Sequence, residues 1–169
     1  LGPRSSPEDR VAAAKRAVAI ARASRWTGTR RAFSLYVLGR LALVTEPDLA
    51  LAAFLESASI YRARRETRVQ AAHVAMQLAA FSLSAGQARA TLGLVEDSLP
   101  AVAEAENAAL LATLLMMKAE ALDLTGRPAR ARAVRRDALG WARYGFGSDD
   151  LVRARLGEIA ALAPAAGPR

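Results

Sequence analysis

The chain is 169 residues long, the length of one ordinary domain and enough to bury a sizeable core. Apolar residues make up 53% but aromatics only 5%, so alanine and leucine must supply that core, and no alternating Val/Ile/Thr run predicts a strand. The absence of cysteine excludes disulfide, thiol and cysteine–metal chemistry, while the formal net charge of +8 admits nucleic acid or an anionic membrane surface as a partner.

The charge also has a compositional source. Of the 24 basic residues only Lys15 and Lys118 are lysine, the arginine bias that a GC-rich bacterial genome produces. No apolar run approaches the roughly 20 residues that span a bilayer, and no basic-then-apolar leader is present. The compartment stays open, with a bacterial cytoplasm slightly ahead of a periplasm. Residues 1–5 read as a disordered processed end or cloning remnant, 6–163 as a single helical domain and 164–169 as a disordered tail.

Ser6-Pro7-Glu8-Asp9 starts a first helix that should run to about Ser24: a capping hydroxyl, proline at the first helical position, and acids at the positive end of the dipole. A second helix is predicted from about Thr29 to Val44, carrying Phe33, Tyr36, Val37 and Leu41. Thr45-Glu46-Pro47-Asp48 repeats the start signal and opens a third, to about Arg64. Thr67 should cap a fourth, closed at Gly86 as a C-terminal glycine can close it. A fifth runs from Gln87 to about Leu99, with Pro100 near its end or opening a short extra turn. Asn107 caps a sixth, closed by Thr125-Gly126; Pro128 starts a seventh to about Tyr144, followed by a Gly145-Phe146-Gly147 loop. Ser148-Asp149-Asp150 starts an eighth that ends before Pro164.

Several columns of this helix series recur at a spacing of forty residues. Thr27, Thr67 and Asn107 are polar helix starters; Ala32, Ala72 and Ala112 are small, as are Gly39, Ala79 and Ala119. Phe54, Leu94 and Val134 are apolar, Ala58, Ser98 and Ala138 are small, and Glu46, Gly86 and Gly126 fall at turns. Different kinds of column agreeing in one register mark a stacked helical-repeat array.

The run Ala119, Leu122, Gly126, Ala131 and Ala138-Leu139 resembles the tetratricopeptide family. Leu78, Ala79, Gly86 and Ser98-Leu99 follow the same grammar less closely, and Leu38, Gly39, Phe54 and Ala58 keep part of it. The resemblance covers most of 29–144. It departs from the family in its longer period, against about 34 residues, and in Lys118 and Arg135 at positions usually apolar. Long degenerate repeats of this kind are similar to those in helical domains of large bacterial transcriptional activators. HEAT-type repeats share the period but lack the small-residue and turn-glycine pattern. The resemblance implies an all-α, right-handed solenoid of antiparallel hairpins with about eight helices, the last a terminal cap. It also implies a concave binding face built from the first helix of each hairpin. The columns there are Phe33, His73 and Thr113; Tyr36, Met76 and Met116; Arg40, Ala80 and Glu120; Leu43, Leu83 and Asp123, with Gln77 beside His73. Such a groove is aromatic and basic at one end and acidic at the other.

Little else in the sequence carries chemistry. His73 is a single histidine without partners for a triad or a zinc site, so no catalytic, metal or cofactor residue is assigned. The acidic pairs Glu8-Asp9, Glu96-Asp97 and Asp149-Asp150 read as helix-start and solvent residues. Arginines cluster around the first helix (Arg10, Arg16, Arg22, Arg25, Arg30, Arg31) and on the seventh (Arg127, Arg130, Arg132, Arg135, Arg136), without interleaved aromatics. The expectation is a non-enzymatic module, an adaptor, scaffold or assembly part of a larger bacterial system, that takes a peptide or protein segment in the groove. The alternative is a regulatory domain binding a small ligand or nucleic acid through its arginine surface. An exposed flank on the first helix implies self-association or docking.

Overall fold

A computed structural model describes residues 6–23, 28–147 and 150. The expected eighth helix and the tail lie outside them, as does Thr27. Among the described residues every regular element is helical: α1 (Pro7–Ala23), α2 (Gly28–Ala42), α3 (Pro47–Arg62), α4 (Arg68–Ser84), α5 (Ala88–Glu104), α6 (Ala108–Leu124) and α7 (Pro128–Phe146). A single 3-10 turn, Arg65–Thr67, lies between α3 and α4. No described helix is long and apolar enough to cross a membrane. The chain divides into two compact units, Leu1–Val74 and Ala75–Arg169.

In the first unit α1 packs on α2 and α2 on α3. The start of α1 is as the sequence predicts. Asp9 N–H donates to Ser6 Oγ at 3.1 Å, and Ser6 N–H returns a bond to the Asp9 carboxylate at 3.2 Å. α1 then buries Val11, Ala14, Val18 and Ala21, one stripe at helical spacing. α2 and α3 approach closely because α2 offers Gly39 where α3 offers Phe54: a Cβ on Gly39 would lie 2.6 Å from the Phe54 ring. One polar bond joins the same pair, from buried Ser57 Oγ to the Ala32 carbonyl at 2.8 Å.

Two expected caps turn out otherwise. Glu46, not Thr45, occupies the start of α3, and it caps nothing with its side chain. Its carboxylate instead accepts from Lys15 Nζ at 2.8 and 2.9 Å. Thr67 donates rather than accepts: its hydroxyl bonds the Tyr61 carbonyl at 2.6 Å and that of Arg64 at 3.2 Å, tying off α3 instead of opening α4. A buried hydroxyl beside the orphan carbonyls of a helix end finds acceptors nearer than the next helix's N–H groups.

From α4 onward the helices are more regular. α4, α5 and α6 are each 17 residues long. They begin at 68, 88 and 108, and α7 begins at 128, so the forty-residue period is two steps of twenty. Each step turns in the same way. Gly86, Glu106 and Gly126 have φ of 71°, 53° and 73°. Their N–H groups bond the carbonyls of Leu83, Ala103 and Asp123 at 2.9, 3.0 and 2.9 Å. The next N–H in each case, of Gln87, Asn107 and Arg127, reaches back to Ser82, Val102 and Leu122 at 2.7, 3.2 and 2.9 Å. These paired bonds satisfy the last carbonyls of each helix and demand a left-handed residue. Asn107 then caps α6 as expected, accepting from Leu110 N–H at 3.1 Å.

Glutamate at the middle turn bears the cost of that conformation. Glu106→Gly should therefore stabilise the chain by about 0.5–1 kcal/mol, read as a rise in melting temperature. A lower melting temperature would mean that the glutamate side chain compensates for its backbone.

Two elements run longer than the sequence predicts. α5 continues through Pro100 to Glu104. The missing Pro N–H leaves the Glu96 carbonyl without a helical partner, and exposed Glu96 leaves water to bond it. α7 continues through Gly145 and Phe146, and only Gly147 is left-handed, with φ 71°. Gly145 stays helical because it is where α7 touches α6. A Cβ there would fall on the Ala109 amide nitrogen and 2.7 Å from Ala109 Cα. α6 packs on both α5 and α7 and is buried over most of its circumference. The small columns sit at such contacts: Ala32, Ala72, Ala112, Ala79, Ala119, Ala58, Ser98 and Ala138 are all buried.

Candidate functional site

The first unit carries a pocket of about 270 Å3 lined by Phe33, Tyr36, Tyr61, Gln70, His73 and Val74. α2 supplies Phe33 and Tyr36, three residues apart and so on one face. Tyr61 comes from the last turn of α3, and Gln70, His73 and Val74 from the first turns of α4. The Tyr36 ring is held in place by Phe54, with centroids 6.0 Å apart and planes at 52°. Phe33 is 59% exposed and stands at the rim.

The pocket is mostly apolar, with a few polar tips and no acid. Its lining holds two phenols, an imidazole and an amide, and no carboxylate. Burial lowers the His73 pKa, so the imidazole is neutral at pH 7, with one nitrogen to donate and one to accept. Burial and the neighbouring Tyr36 raise the Tyr61 pKa, keeping that phenol protonated. Arg40, one turn beyond Tyr36, donates from Nη1 to the Tyr36 hydroxyl at 3.3 Å. That bond uses one of five guanidinium donors.

A lowered His73 pKa links to stability with a definite sign. The unfolded chain binds the proton more readily, so the folded state should lose stability as pH falls from the ordinary imidazole value near 6.5 toward the lower folded value. A His73→Gln chain should show a flatter stability profile across that window in urea unfolding. Identical slopes in the two chains would contradict the burial of this imidazole.

The predicted groove residues separate. Phe33, Tyr36 and His73 share the pocket and Arg40 adjoins it. Met76 and Gln77 belong to the part of α4 assigned to the second unit, where Met76 is buried and Gln77 half-buried. Thr113 and Met116 are only 3% and 9% exposed. Within their two columns the expectation of an open surface is corrected for three residues: Met76, Thr113 and Met116 are core. α6 is the most apolar helix and is covered from two sides, so its central turns cannot present a free face. Glu120 and Asp123 are not a free acidic end either. Arg135 Nη2 bonds Glu120 at 2.7 Å and Asp123 at 2.5 Å, bonds that raise the arginine's pKa.

Other unexpected charges are also matched. Lys118 pairs with Glu96 at 3.0 Å, Arg22 pairs with Glu56, and Arg31 Nε lies 3.9 Å from the same carboxylate, too far for a hydrogen bond. Sequence reasoning missed Tyr61, Gln70 and Val74. Tyr61 lies on a second-of-pair helix, while the groove is expected from first helices alone; Gln70 and Val74 sit one turn apart on the His73 side of α4, a visible but unused signal.

The second unit has an open groove of about 1230 Å3, with Leu99, Pro100, Leu111, Arg136, Trp141 and Tyr144 in its lining. Trp141 and Tyr144 are exposed, so α7 does carry aromatics beside its arginines, contrary to the reading of 127–136 taken alone. Glu106 and Asp137 line the same groove. Among the described residues no three His, Cys, Asp or Glu side chains are placed to hold a metal ion. Comparison of the chain with protein-family models, curated proteins and solved structures gives no match.

Proposed function

We propose that the chain is a non-enzymatic protein-interaction module, an adaptor, scaffold or assembly part that captures a peptide or protein segment. The observation that carries this reading is the aromatic pocket with Phe33 left standing at its rim. A large ring exposed beside more deeply buried rings with polar tips is the anatomy of an anchor site. No lining side chain is a carboxylate acid–base pair or an activated nucleophile, which favours binding over catalysis.

The scaffold proposed is a tetratricopeptide-like, right-handed solenoid of antiparallel hairpins forming one repeat domain. Its support is local. On α2 and α3, Ala32 meets Ser57 while Gly39 meets Phe54, so numbers rise on one helix as they fall on the other. On α6 and α7, Glu120 meets Arg135 and Ala109 meets Gly145 in the same sense. Self-association through α1 is part of the proposal, with exposed Ile20 as its apolar contact.

The test is a display selection of random peptides on the immobilised chain, repeated on a Phe33→Asp chain whose circular dichroism matches. Enrichment on the parent chain and none on the variant is the expected result. Equal enrichment on both would place capture elsewhere.

The rival reading, single-stranded nucleic acid on α7, is favoured by exposed Trp141 and Tyr144 beside Arg136. Glu106 and Asp137 in the same groove oppose phosphate. This reading requires binding to mixed single strands that weakens steeply with salt.

A further inference from the structure

We infer that the Phe33–Tyr36–Tyr61–His73 pocket takes a single aromatic side chain that carries a carboxylate next to it in its peptide, with Arg40 holding the carboxylate. The inference rests on the peptide-capture reading above and names the chemistry of the occupant.

Size comes first. A cavity of about 270 Å3 falls just below the roughly 300–1,000 Å3 of sites for drug-sized ligands. It corresponds to the space of about nine liquid waters at roughly 30 Å3 each, room for one ring system.

The lining then selects the kind of ring. Phe33, Tyr36 and Tyr61 offer faces and edges for tilted ring contacts. Tyr61, Gln70 and neutral His73 offer hydrogen-bond partners that an aliphatic side chain would leave unmatched. An indole N–H or a phenol O–H matches them.

Charge settles the neighbour. An aromatic box without carboxylates could in principle attract a cation, but here a guanidinium stands 3.3 Å from the Tyr36 hydroxyl, and it repels one. Among the described residues Arg40 makes no ion pair with an acid, so its charge is available to a ligand. The Tyr36 bond orients the guanidinium before binding, which leaves less freedom to lose when the carboxylate arrives. The 3.3 Å from the hydroxyl of lining Tyr36 to the guanidinium is close to the length of about one residue of extended chain.

His73 is the only histidine of the chain, so its ring signals in a proton NMR spectrum report this pocket without assignment of anything else. Three pentapeptides serve as probes: glycine-flanked aspartate–tryptophan–aspartate, lysine–tryptophan–lysine and aspartate–alanine–aspartate. The first should shift the His73 ring signals saturably. The second should bind at least about tenfold more weakly, and the third should produce no shift. Arg40→Gln should weaken the first peptide about tenfold and, by removing a like charge, tighten the second. Phe33→Ala should weaken both tryptophan peptides alike.

Equal binding of the first two peptides, or an Arg40→Gln chain that binds the first as tightly as the parent, overturns the inference. Display-selected peptides that are captured without moving the His73 signals overturn it too. The failure of the underlying reading looks different. N-acetyltryptophan, which bears its own carboxylate, would bind as tightly as the first pentapeptide, while display selection enriches nothing. That outcome keeps the aromatic-acid chemistry and removes the peptide.

Discussion

Gly39→Val should destabilise the first unit by about 2–3 kcal/mol, one of the two largest losses expected from a single substitution in this chain. The missing Cβ at Gly39 leaves the space that the Phe54 ring fills: a Cβ would stand 2.6, 2.8 and 2.9 Å from three of its carbons. Phe54 cannot step aside. It is fully buried and tilted against Tyr36. Helix propensity pulls the other way, since glycine inside a helix costs about 1 kcal/mol relative to alanine. Gly39→Ala should therefore show a smaller net loss, and valine, with two further carbons and a stiff χ1, the full one. Phe54→Leu in the same chain should recover more than about 1 kcal/mol of the valine penalty. A double variant whose losses simply add would show that the clash is not with this ring.

Gly145→Ala should cost about as much, for a harder reason. The Cβ would meet backbone, the Ala109 nitrogen and Cα with the Ala108 carbonyl carbon at 2.8 Å, and backbone cannot rotate away. The last turn of α7 would have to lift from the start of α6. Gly140, five residues earlier on the same helix, has nothing within 4 Å of a built Cβ. Gly140→Ala should accordingly stabilise by about 0.5–1 kcal/mol. Thermal melts of the two alanine variants against the parent should move in opposite directions. Parallel shifts would contradict the close approach of α6 and α7.

Much of the helical order was readable because it is written in local chemistry. Ser6, Asn107, Gly86 and Gly126 do what their backbone preferences require, whatever surrounds them. The small columns were legible for the same reason: helices that approach closely need alanine or glycine at the crossing. Thr67 was misread because its hydroxyl had two possible duties, and only the fold decides that the Tyr61 and Arg64 carbonyls lie nearer. Glu106 hid the twenty-residue step, since a glutamate at a left-handed turn gives no sequence signal. The candidate groove was legible only in part. Register puts Phe33, Tyr36 and His73 in line, but it cannot say that Met116 and Thr113 are buried on a helix packed by α5 and α7, or that Arg135 reaches Glu120 and Asp123. Tyr61 enters the pocket across a helix pair, a contact no spacing within one helix reveals.

The most direct measurement is a residue-by-residue NMR map of the chain with a captured peptide bound. The expected perturbations fall on Phe33, Tyr36, Tyr61 and Val74, with the α7 groove unmoved. Perturbations centred on Trp141 and Tyr144, with the aromatic pocket of the first unit unchanged, would contradict the proposed site.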